Sequence, residues 1–298
     1  MQYLEGFDLP SSDAEDGFLM YSPMLDMSCY TQSNIHPFRF FSSRGLFRFA
    51  LSPITIIYGG NGSGKSTLLN LVAEKLRLSR RAPFNRTPFF NEYLSLCNAK
   101  ISPRNGIPRE SCIITSDDVF DYLLDLRNIN QGVARKREEL FREYEAESAL
   151  SKAGIPVQFH GFEDIERLRR RNEVNHSTRS AYAARRIPKE FCGKSNGESA
   201  YLYFTENIRE NALYLLDEPE NSLSAKLQAE LAVFLEEAVR FYNCQFLIST
   251  HSPFLLSMRG ARIYDLDSVP VAEKRWTELE NVKIYRELFL KREGDFTD

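Results

Sequence analysis

The chain has 298 residues, of which 43% are hydrophobic, enough for one large domain or two smaller ones. Its formal net charge of -3 gives no overall basicity, so a nucleic-acid partner would have to use a local patch. No apolar run approaches transmembrane length, the N-terminus lacks the layout of a signal peptide, and the five cysteines lack C-x-x-C pairing. We therefore expect a soluble cytoplasmic protein with reduced thiols and no membrane partner.

In the first part of the chain we predict a segment with little regular structure, followed by strands. Residues 1–20 carry Asp8, Asp13, Glu15 and Asp16 among Ser, Gly and Pro, which predicts a loosely ordered acidic leader with little fold of its own. Between Ile35 and Leu51 aromatic residues partly alternate with other residues, as in half-buried strands. We expect an N-terminal antiparallel β region here, beside the first core strand, with most of the rings in the core.

Residues 59–67 match the phosphate-binding loop pattern G-x-x-x-x-G-K-[ST]. A β-branched run precedes the loop and apolar residues at helical spacing follow it, as the strand-loop-helix context requires. Lys65 is expected to reach the β- and γ-phosphates and Ser66 to ligate Mg²⁺, while backbone N–H groups cradle the anion. The residues expected to hold the nucleotide are Gly59, Asn61, Gly62, Ser63, Gly64, Lys65, Ser66 and Thr67.

Residues 127–190 are dense in Arg, Lys and Glu with only a thin apolar stripe, a composition typical of helices that project from a core. We predict that they form a helical arm inserted between two core segments, residues 21–126 and 191–270, and that residues 271–298 form a polar tail. A basic cluster in the arm either contacts the phosphate backbone of DNA or RNA or pairs with neighbouring acids. Its central members are Arg167, Arg169, Arg170 and Arg171.

A buried strand at residues 213–216 ends in Asp217 and Glu218, the Walker B pattern. Asp217 is expected to hold Mg²⁺ beside Ser66, and Glu218 to act as general base or orienting carboxylate for the attacking water. Strands that alternate with helices in this part of the chain predict an α/β fold with a mostly parallel sheet, whose carboxyl ends bring both acids to the phosphate loop.

Three short segments resemble the motifs of ATP-binding-cassette (ABC) ATPases. Residues 217–223 resemble the Walker B and D-loop run, residues 249–253 the switch-histidine loop, and residues 195–199 the short S-x-G-E form of the signature. The order of the motifs is also that of the family, and the resemblance covers residues 46–126 and 190–266. It points to the soluble branch that includes chromosome-maintenance (SMC), RecF and overcoming-lysogenization-defect (OLD) ATPases, as a stand-alone ATPase.

The resemblance implies a head-to-tail homodimer that buries two ATP molecules. Ser195, Gly197 and Glu198 would belong to the signature that faces the partner's nucleotide, and His251 would contact the γ-phosphate and the attacking water. Two positions depart from the family pattern. No Q-loop glutamine is evident, so that Asp117 or Asp118 either substitutes for it or starts the next helix, and Ser224 stands where the D-loop commonly has aspartate.

Three functions follow from the resemblance. The first is an ATP-hydrolysing dimer that drives a transaction of the DNA-repair or phage-defence type, or acts on an effector protein. The second is an ATP-dependent dimerisation switch or sensor with slow turnover. The third is a transporter ATPase subunit, which we rank last because a full L-S-G-G-Q signature and a clear Q-loop are missing.

Overall fold

The computed structural model describes residues 1–21, 35–155, 162–186 and 195–296, with the backbone alone described for residues 162–168. The chain forms two compact units: Met1–Phe120 together with Asn196–Asp298, and Asp121–Ser195. The larger unit holds both sheets and the smaller one holds most of the helical insertion.

A six-stranded sheet forms the centre of the larger unit. Its strands, in chain order, are β3 Ile54–Tyr58, β5 Cys112–Thr115, β6 Leu213–Asp217, β7 Gln245–Ser249, β8 Arg262–Asp265 and β9 Ala272–Glu273. They lie in the order β5-β6-β7-β3-β8-β9, parallel except for β9. Every residue of β3 and β7 is buried, as expected for strands covered on both faces. The predicted α/β fold with a mostly parallel sheet is confirmed.

Ten helices connect and cover the strands within the described residues. They are α1 Ser12–Tyr21, α2 Lys65–Leu76, α3 Phe90–Leu96, α4 Ser116–Lys152, α5 Phe162–His176, α6 Arg179–Ala184, α7 Asn196–Asn207, α8 Ala225–Phe241, α9 Pro253–Leu256 and α10 Glu280–Lys291. None of these described helices combines the length and apolar character needed to cross a membrane.

A smaller antiparallel sheet has the order β2-β1-β4, from β1 Leu4–Asp8, β2 Arg48–Ala50 and β4 Asn98–Ile101. The expectation of a loosely ordered leader is therefore wrong. β1 is the central strand of this sheet, Leu4 and Phe7 are fully buried, and α1 follows at once. Composition missed this because the partners of β1 lie tens of residues away in the chain.

The predicted antiparallel region is present, but only part of residues 35–51 contributes to it. Residues 35–41 form turns, and Ser42–Arg44 form a short 3-10 helix that ends at Gly45. Phe38 and Phe41 are buried because they pack against Tyr93 of α3, with ring centroids 5.1 and 6.5 Å away. The alternation of aromatic residues in residues 35–41 thus reflects packing in the core, and these residues do not form a strand.

Gln245 joins the two sheets. Its side chain is fully buried at the start of β7, and its Oε1 accepts hydrogen bonds from the backbone N–H groups of Tyr3 and Leu4, at 2.7 and 2.9 Å. Its Nε2 donates to the carbonyl oxygens of Leu4 and Ser52, at 2.7 and 3.2 Å. One amide side chain thus satisfies four backbone groups, which ties β1 to the central sheet.

The smaller unit has a core of its own. Leu140 of α4, Val174 of α5, and Tyr182 and Ala183 of α6 are buried together, with Tyr144 packed against them. The Tyr144 hydroxyl donates to the carbonyl oxygen of Ser177 at 2.9 Å. The helical insertion is therefore a packed helical unit rather than a set of independent polar helices.

Candidate functional site

The phosphate loop lies between β3 and α2, as its sequence predicts. Gly64 has φ +95°, and a Cβ atom there would lie 2.4 Å from a carbon of the Phe40 ring, so this position requires glycine. Among the residues that the structure describes, the backbone N–H groups of Gly62, Gly64 and Lys65 have no hydrogen-bond acceptor. These unpaired donors at the amino end of α2 fit an anion such as a triphosphate.

Lys65 lies at the centre of the loop with its side chain 5% exposed. Its Nζ donates to the carbonyl oxygens of Gly59 and Gly60, at 2.8 and 3.1 Å. The same ammonium lies 3.4 Å from Oε1 of Glu218. The loop cation and the Walker B glutamate therefore meet in one chain, although they are far apart in sequence.

Ser66 and Asp217 form the predicted magnesium position. The Ser66 hydroxyl donates to Oδ1 of Asp217 at 3.1 Å, and the Ser249 hydroxyl donates to the same oxygen. Burial raises the pKa of Asp217 and Glu218 adds to this, whereas the two hydroxyls and Lys65 oppose it. A partly buried carboxylate beside a hydroxyl supplies the hard oxygen ligands that Mg²⁺ prefers, so these two residues fit the ion.

The register of the sheet explains how these groups converge. Thr115, Asp217 and Ser249 are paired neighbours at the carboxyl ends of β5, β6 and β7. Ser249 in turn is paired with Ile57, just before the phosphate loop. Parallel strands thus deliver the Walker B acids to the loop at one edge of the sheet.

Glu218 stands in an uncommon backbone conformation, with φ +49°. Its N–H is held by Ser249, whose carbonyl oxygen and hydroxyl lie 3.0 and 3.1 Å away, and its Oε2 accepts from Asn221 at 3.3 Å. A non-glycine residue in the left-handed region costs free energy and persists where its surroundings demand it. Here the conformation directs the carboxylate toward Lys65.

His251 is held by its backbone from two sides, and its side chain is 51% exposed. Oε1 of Glu220 accepts from the His251 N–H at 2.9 Å and lies 3.5 Å from Nδ1. Nδ2 of Asn281, at the start of α10, donates to the His251 carbonyl oxygen at 2.6 Å. Glu220 is buried and its other oxygen lacks a hydrogen-bond partner among the described residues. Sequence analysis assigned no role to either Glu220 or Asn281.

The cavity over the loop has a volume of about 290 Å³ and includes two residues that sequence analysis did not assign to the site, His36 and Phe40. Nε2 of His36 lies 3.3 Å from the Thr67 hydroxyl, and burial lowers the pKa of His36. The Arg44 guanidinium lies 4.5 Å from the centroid of the Phe40 ring and donates to the Ser63 carbonyl oxygen at 3.1 Å. Turn residues upstream of β2 thus form one wall of the site.

Asp267, just beyond β8, is a further neighbour of the loop. Its Oδ2 accepts from the Gly60 N–H at 2.7 Å, and a Cβ atom at Gly59 would lie 3.3 Å from its Oδ1. A carboxylate therefore occupies one backbone donor at the start of the loop and holds the turn after β3. Because Asp267 lies far from the loop in sequence, no local sequence pattern predicts this contact.

The remaining predicted residues fall on the ends of helices. Gly197 and Glu198 lie in the first turn of α7, directly after Ser195, so the signature stands at a helix amino end as expected. Their predicted contact is with a nucleotide held by a second copy and lies outside a single chain. Asn61 and Ser63 lie in the phosphate loop itself.

At both positions that depart from the family pattern, a side chain stabilises the start of a helix. Asp118 is buried, and its oxygens accept from the backbone N–H groups of Thr115 and Ala82, at 2.7 and 2.8 Å. It therefore holds the junction of β5 and α4, the second of the two alternatives for this position. The Ser224 hydroxyl accepts from the Leu227 N–H at 3.5 Å and caps α8.

The basic cluster of the arm is largely paired with acids. Arg170 and Arg171 lie 3.0 and 3.1 Å from Glu143 and Glu147. Three further ion pairs join Arg179 to Glu145, and Arg185 and Arg186 to Glu173. The side chain of Arg167 lies outside the described residues. The pairing favours the alternative in which these arginines neutralise neighbouring acids.

Parts of this chain are similar to known proteins. A family model described as "AAA domain, putative AbiEii toxin, Type IV TA system" matches residues 195–257, which include the signature, Asp217, Glu218 and His251. An uncharacterized ABC transporter ATP-binding protein/permease of Saccharomyces cerevisiae is 25% identical over 203 residues, 67% of this chain and 14% of that protein. The chain thus matches only a small part of the length of this curated relative.

Two of the solved structures to which this chain is similar are ATPase domains. The Smc head domain of Pyrococcus furiosus, with an extended coiled coil and the C-terminal domain of ScpA, is 15% identical, with TM-score 0.38 and coverage of 81% of this chain and 94% of that one. The ATP-binding cassette MJ0796, in a dimeric post-hydrolysis state with ADP and Pi, is 16% identical, with TM-score 0.34 and coverage of 78% and 90%. Within this chain, residues 195–257 are thus similar to an AAA-type domain.

Proposed function

We propose that this protein binds and hydrolyses ATP with Mg²⁺, and does so as a nucleotide-sandwiched, head-to-tail homodimer. The observation that carries the proposal is the meeting of two motifs: Lys65 lies 3.4 Å from Glu218, and Ser66 donates to Asp217 at 3.1 Å. This arrangement places a phosphate-binding cation, a magnesium ligand pair and a candidate base around one loop.

Each side chain has a distinct task in the proposed reaction. The free N–H groups of the loop and Lys65 bind the phosphates and stabilise the negative charge that develops on them. Ser66 and Asp217 would hold Mg²⁺, which neutralises charge on the phosphate oxygens when bound. Glu218 orients the attacking water and accepts its proton, and its fixed backbone conformation keeps the carboxylate toward the loop.

His251 and the signature complete the proposed site from two chains. His251 is half exposed at the carboxyl edge of the sheet, so its ring is free to contact the γ-phosphate and the water. Ser195 and the N–H of Gly197, at the amino end of α7, would contact the γ-phosphate held by the partner. Hydrolysis removes that shared group and so loosens the dimer.

An ATP-hydrolysis assay with matched variants tests the proposal. Glu218→Gln should lower kcat by at least about a hundredfold while ATP is still bound, because only the proton acceptor is lost. Glu230→Gln makes the same chemical change on the exposed face of α8 and should leave the rate unaltered. Full activity in Glu218→Gln would contradict the assigned role, and absence of ATP binding in the wild type would remove the function itself.

The cellular role is the finer part of the proposal. ATP turnover is proposed to drive a DNA-repair or phage-defence transaction or a partner effector, and the matched family description, which names an AAA domain and a toxin-antitoxin system and no transporter, supports a role outside transport. A dimerisation switch with slow turnover is the alternative, and hydrolysis that neither DNA nor an effector stimulates would favour it. A transporter subunit ranks last, although the curated relative is described as an ABC transporter ATP-binding protein/permease.

A further inference from the structure

A second cavity, of about 300 Å³, lies in the larger unit away from the phosphate loop. It is lined by the first residues of β5 and β6, including Cys112 and Tyr214, which are paired neighbours. None of its lining residues also lines the cavity over the phosphate loop, and the cavity follows β5, the outermost strand of the sheet, from Cys112 to Asp118 at the start of α4. Its volume matches that of the phosphate-loop cavity.

Arginines dominate the charge of this cavity. Four line it, Arg80, Arg81, Arg109 and Arg209, against two acids, Glu110 and Asp118. Asp118 is already engaged by backbone N–H groups at the start of α4. In a chain whose formal net charge is -3, this concentration of positive charge in one concavity is exceptional.

Three of the four arginines have no carboxylate partner among the residues that the structure describes. Arg80 lies 3.4 Å from Glu74, whereas Arg81, Arg109 and Arg209 form no ion pair there. Five arginines of the arm differ, since each lies within ion-pair distance of a glutamate: Arg170, Arg171, Arg179, Arg185 and Arg186. The cavity therefore gathers three arginines that lack an ion-pair partner among the described residues into one concave site.

Arg81 is held in place by neutral groups. Its guanidinium donates to the Asn207 Oδ1 at 3.1 Å and to the Tyr203 hydroxyl at 3.4 Å, and lies 5.6 Å from the centroid of the Tyr203 ring. Neutral partners fix its orientation without cancelling its charge. A planar guanidinium held in this way suits the oxygens of a phosphate group.

We propose that this cavity is a binding site for a phosphate-bearing ligand, either the backbone of a nucleic acid strand or a free phosphorylated small molecule. Phosphate oxygens would supply the negative partner that Arg81, Arg109 and Arg209 lack among the described residues. Tyr203 and Asn207 belong to α7, whose first turn carries Gly197 of the signature. α7 therefore connects the cavity to the ATP site, an inference that rests on the proposed function.

Two probes and a charge-reversed pair test the site. The first probe is a fluorescein-labelled single-stranded DNA 20-mer, followed by anisotropy, and the second is inorganic pyrophosphate, followed by calorimetry in a Lys65→Ala background. Arg109→Glu combined with Arg209→Glu should weaken binding at least about tenfold, and for the 20-mer should also flatten the salt dependence. Both arginines are exposed, so the pair should fold as the wild type does.

Arg259→Glu combined with Arg286→Glu is the matched control, since it removes the same charge from exposed positions outside the cavity. It should stay within about twofold of the wild type for both probes. Loss of 20-mer binding identifies a strand backbone as the ligand, and loss of pyrophosphate binding alone identifies a free phosphorylated ligand. Failure of both probes to bind, or equal losses in the two pairs, would overturn the site. If the wild type does not hydrolyse ATP, but Arg109→Glu combined with Arg209→Glu still specifically weakens probe binding, the proposed function is refuted and the cavity site stands.

Discussion

The His251 backbone shows how single residues can control the site without touching the nucleotide. Its N–H is bonded to the buried Glu220 and its carbonyl oxygen to Asn281. Together these bonds fix the peptide that carries the switch histidine. Because a small displacement of a reacting group has a large effect on rate, we assign Glu220 and Asn281 as positioning residues.

Substitution of Glu220 tests this assignment. Glu220→Ala should lower kcat between about ten- and a hundredfold, with ATP affinity nearly unchanged, because the histidine loses its anchor while the phosphate loop is intact. Glu220→Gln retains an acceptor for the His251 N–H and should recover part of the loss. Steady-state kinetics give the comparison, and His251→Ala should mask the effect of Glu220→Ala. Additive losses in the double variant would show that Glu220 acts elsewhere.

Glu15 is a buried acid outside the site, and it makes stability depend on pH. Its Oε2 accepts from the Arg39 N–H and the Ser42 hydroxyl, at 2.7 and 2.8 Å. Burial nevertheless raises its pKa, because desolvation outweighs these bonds. A carboxyl whose pKa is higher in the folded state penalises folding once the pH exceeds its ordinary value, and the penalty is complete above the raised value.

Glu15→Gln should therefore match or exceed the wild type in stability at neutral pH, by on the order of 1 kcal/mol, because it keeps an acceptor and removes the charge. The advantage should shrink as the pH falls and vanish below the ordinary glutamate pKa. Urea unfolding at a series of pH values measures it, with Glu5→Gln on the exposed side of β1 as the control. A variant that loses stability at neutral pH would contradict the sign of the shift.

Among the elements, β1 depends on Gln245 for its place beside the central sheet. Gln245→Leu should lower the free energy of unfolding by about 3 kcal/mol or more, because several buried backbone groups lose their partners at about 1–3 kcal/mol each. Gln131→Leu, at an exposed position of α4, should stay within about 0.5 kcal/mol. Chemical denaturation gives both values. Equal effects of the two substitutions would show that the link between the sheets contributes nothing.

The elements that sequence analysis identified are those with local signals. The phosphate loop lies between a strand and a helix within a few residues, and Walker B is the end of one buried strand, so both could be read directly from residues 54–76 and 213–218. β1 carries no such signal, since its register is set by β2 and β4, with Leu4 opposite Ile101. Composition alone therefore predicted a loosely ordered leader where the structure has a central strand.

The same distinction separates the predicted site residues from those that were missed. Glu218 and His251 stand inside recognisable motifs, whereas Asn281 reaches His251 from 30 residues away and Asp267 reaches Gly60 from 207 residues away. The cavity arginines come from three separate parts of the chain. Such contacts are created by the topology of the sheet, and no single-sequence pattern encodes them.

At the scale of the whole molecule, the proposed ATP site and the arginine-lined cavity lie at different places on the parallel sheet. The carboxyl ends of its strands carry the phosphate loop, the Walker B acids and His251, and β5, the outermost strand, borders the arginine-lined cavity. α7 connects the two, since its first turn holds Gly197 and its last turn holds Asn207. Under the proposed function, α7 would transmit binding in the cavity to a signature segment that faces a partner's ATP.

The most direct test is the solution mass of Glu218→Gln, measured by light scattering with and without Mg-ATP. Loss of the carboxylate should block hydrolysis and leave both nucleotide faces intact, so ATP should convert a monomer into a dimer. Ser195→Arg, combined with Glu218→Gln, should abolish that shift by blocking the signature while ATP still binds. An unchanged mass in Glu218→Gln, despite demonstrated ATP binding, would contradict the sandwich dimer.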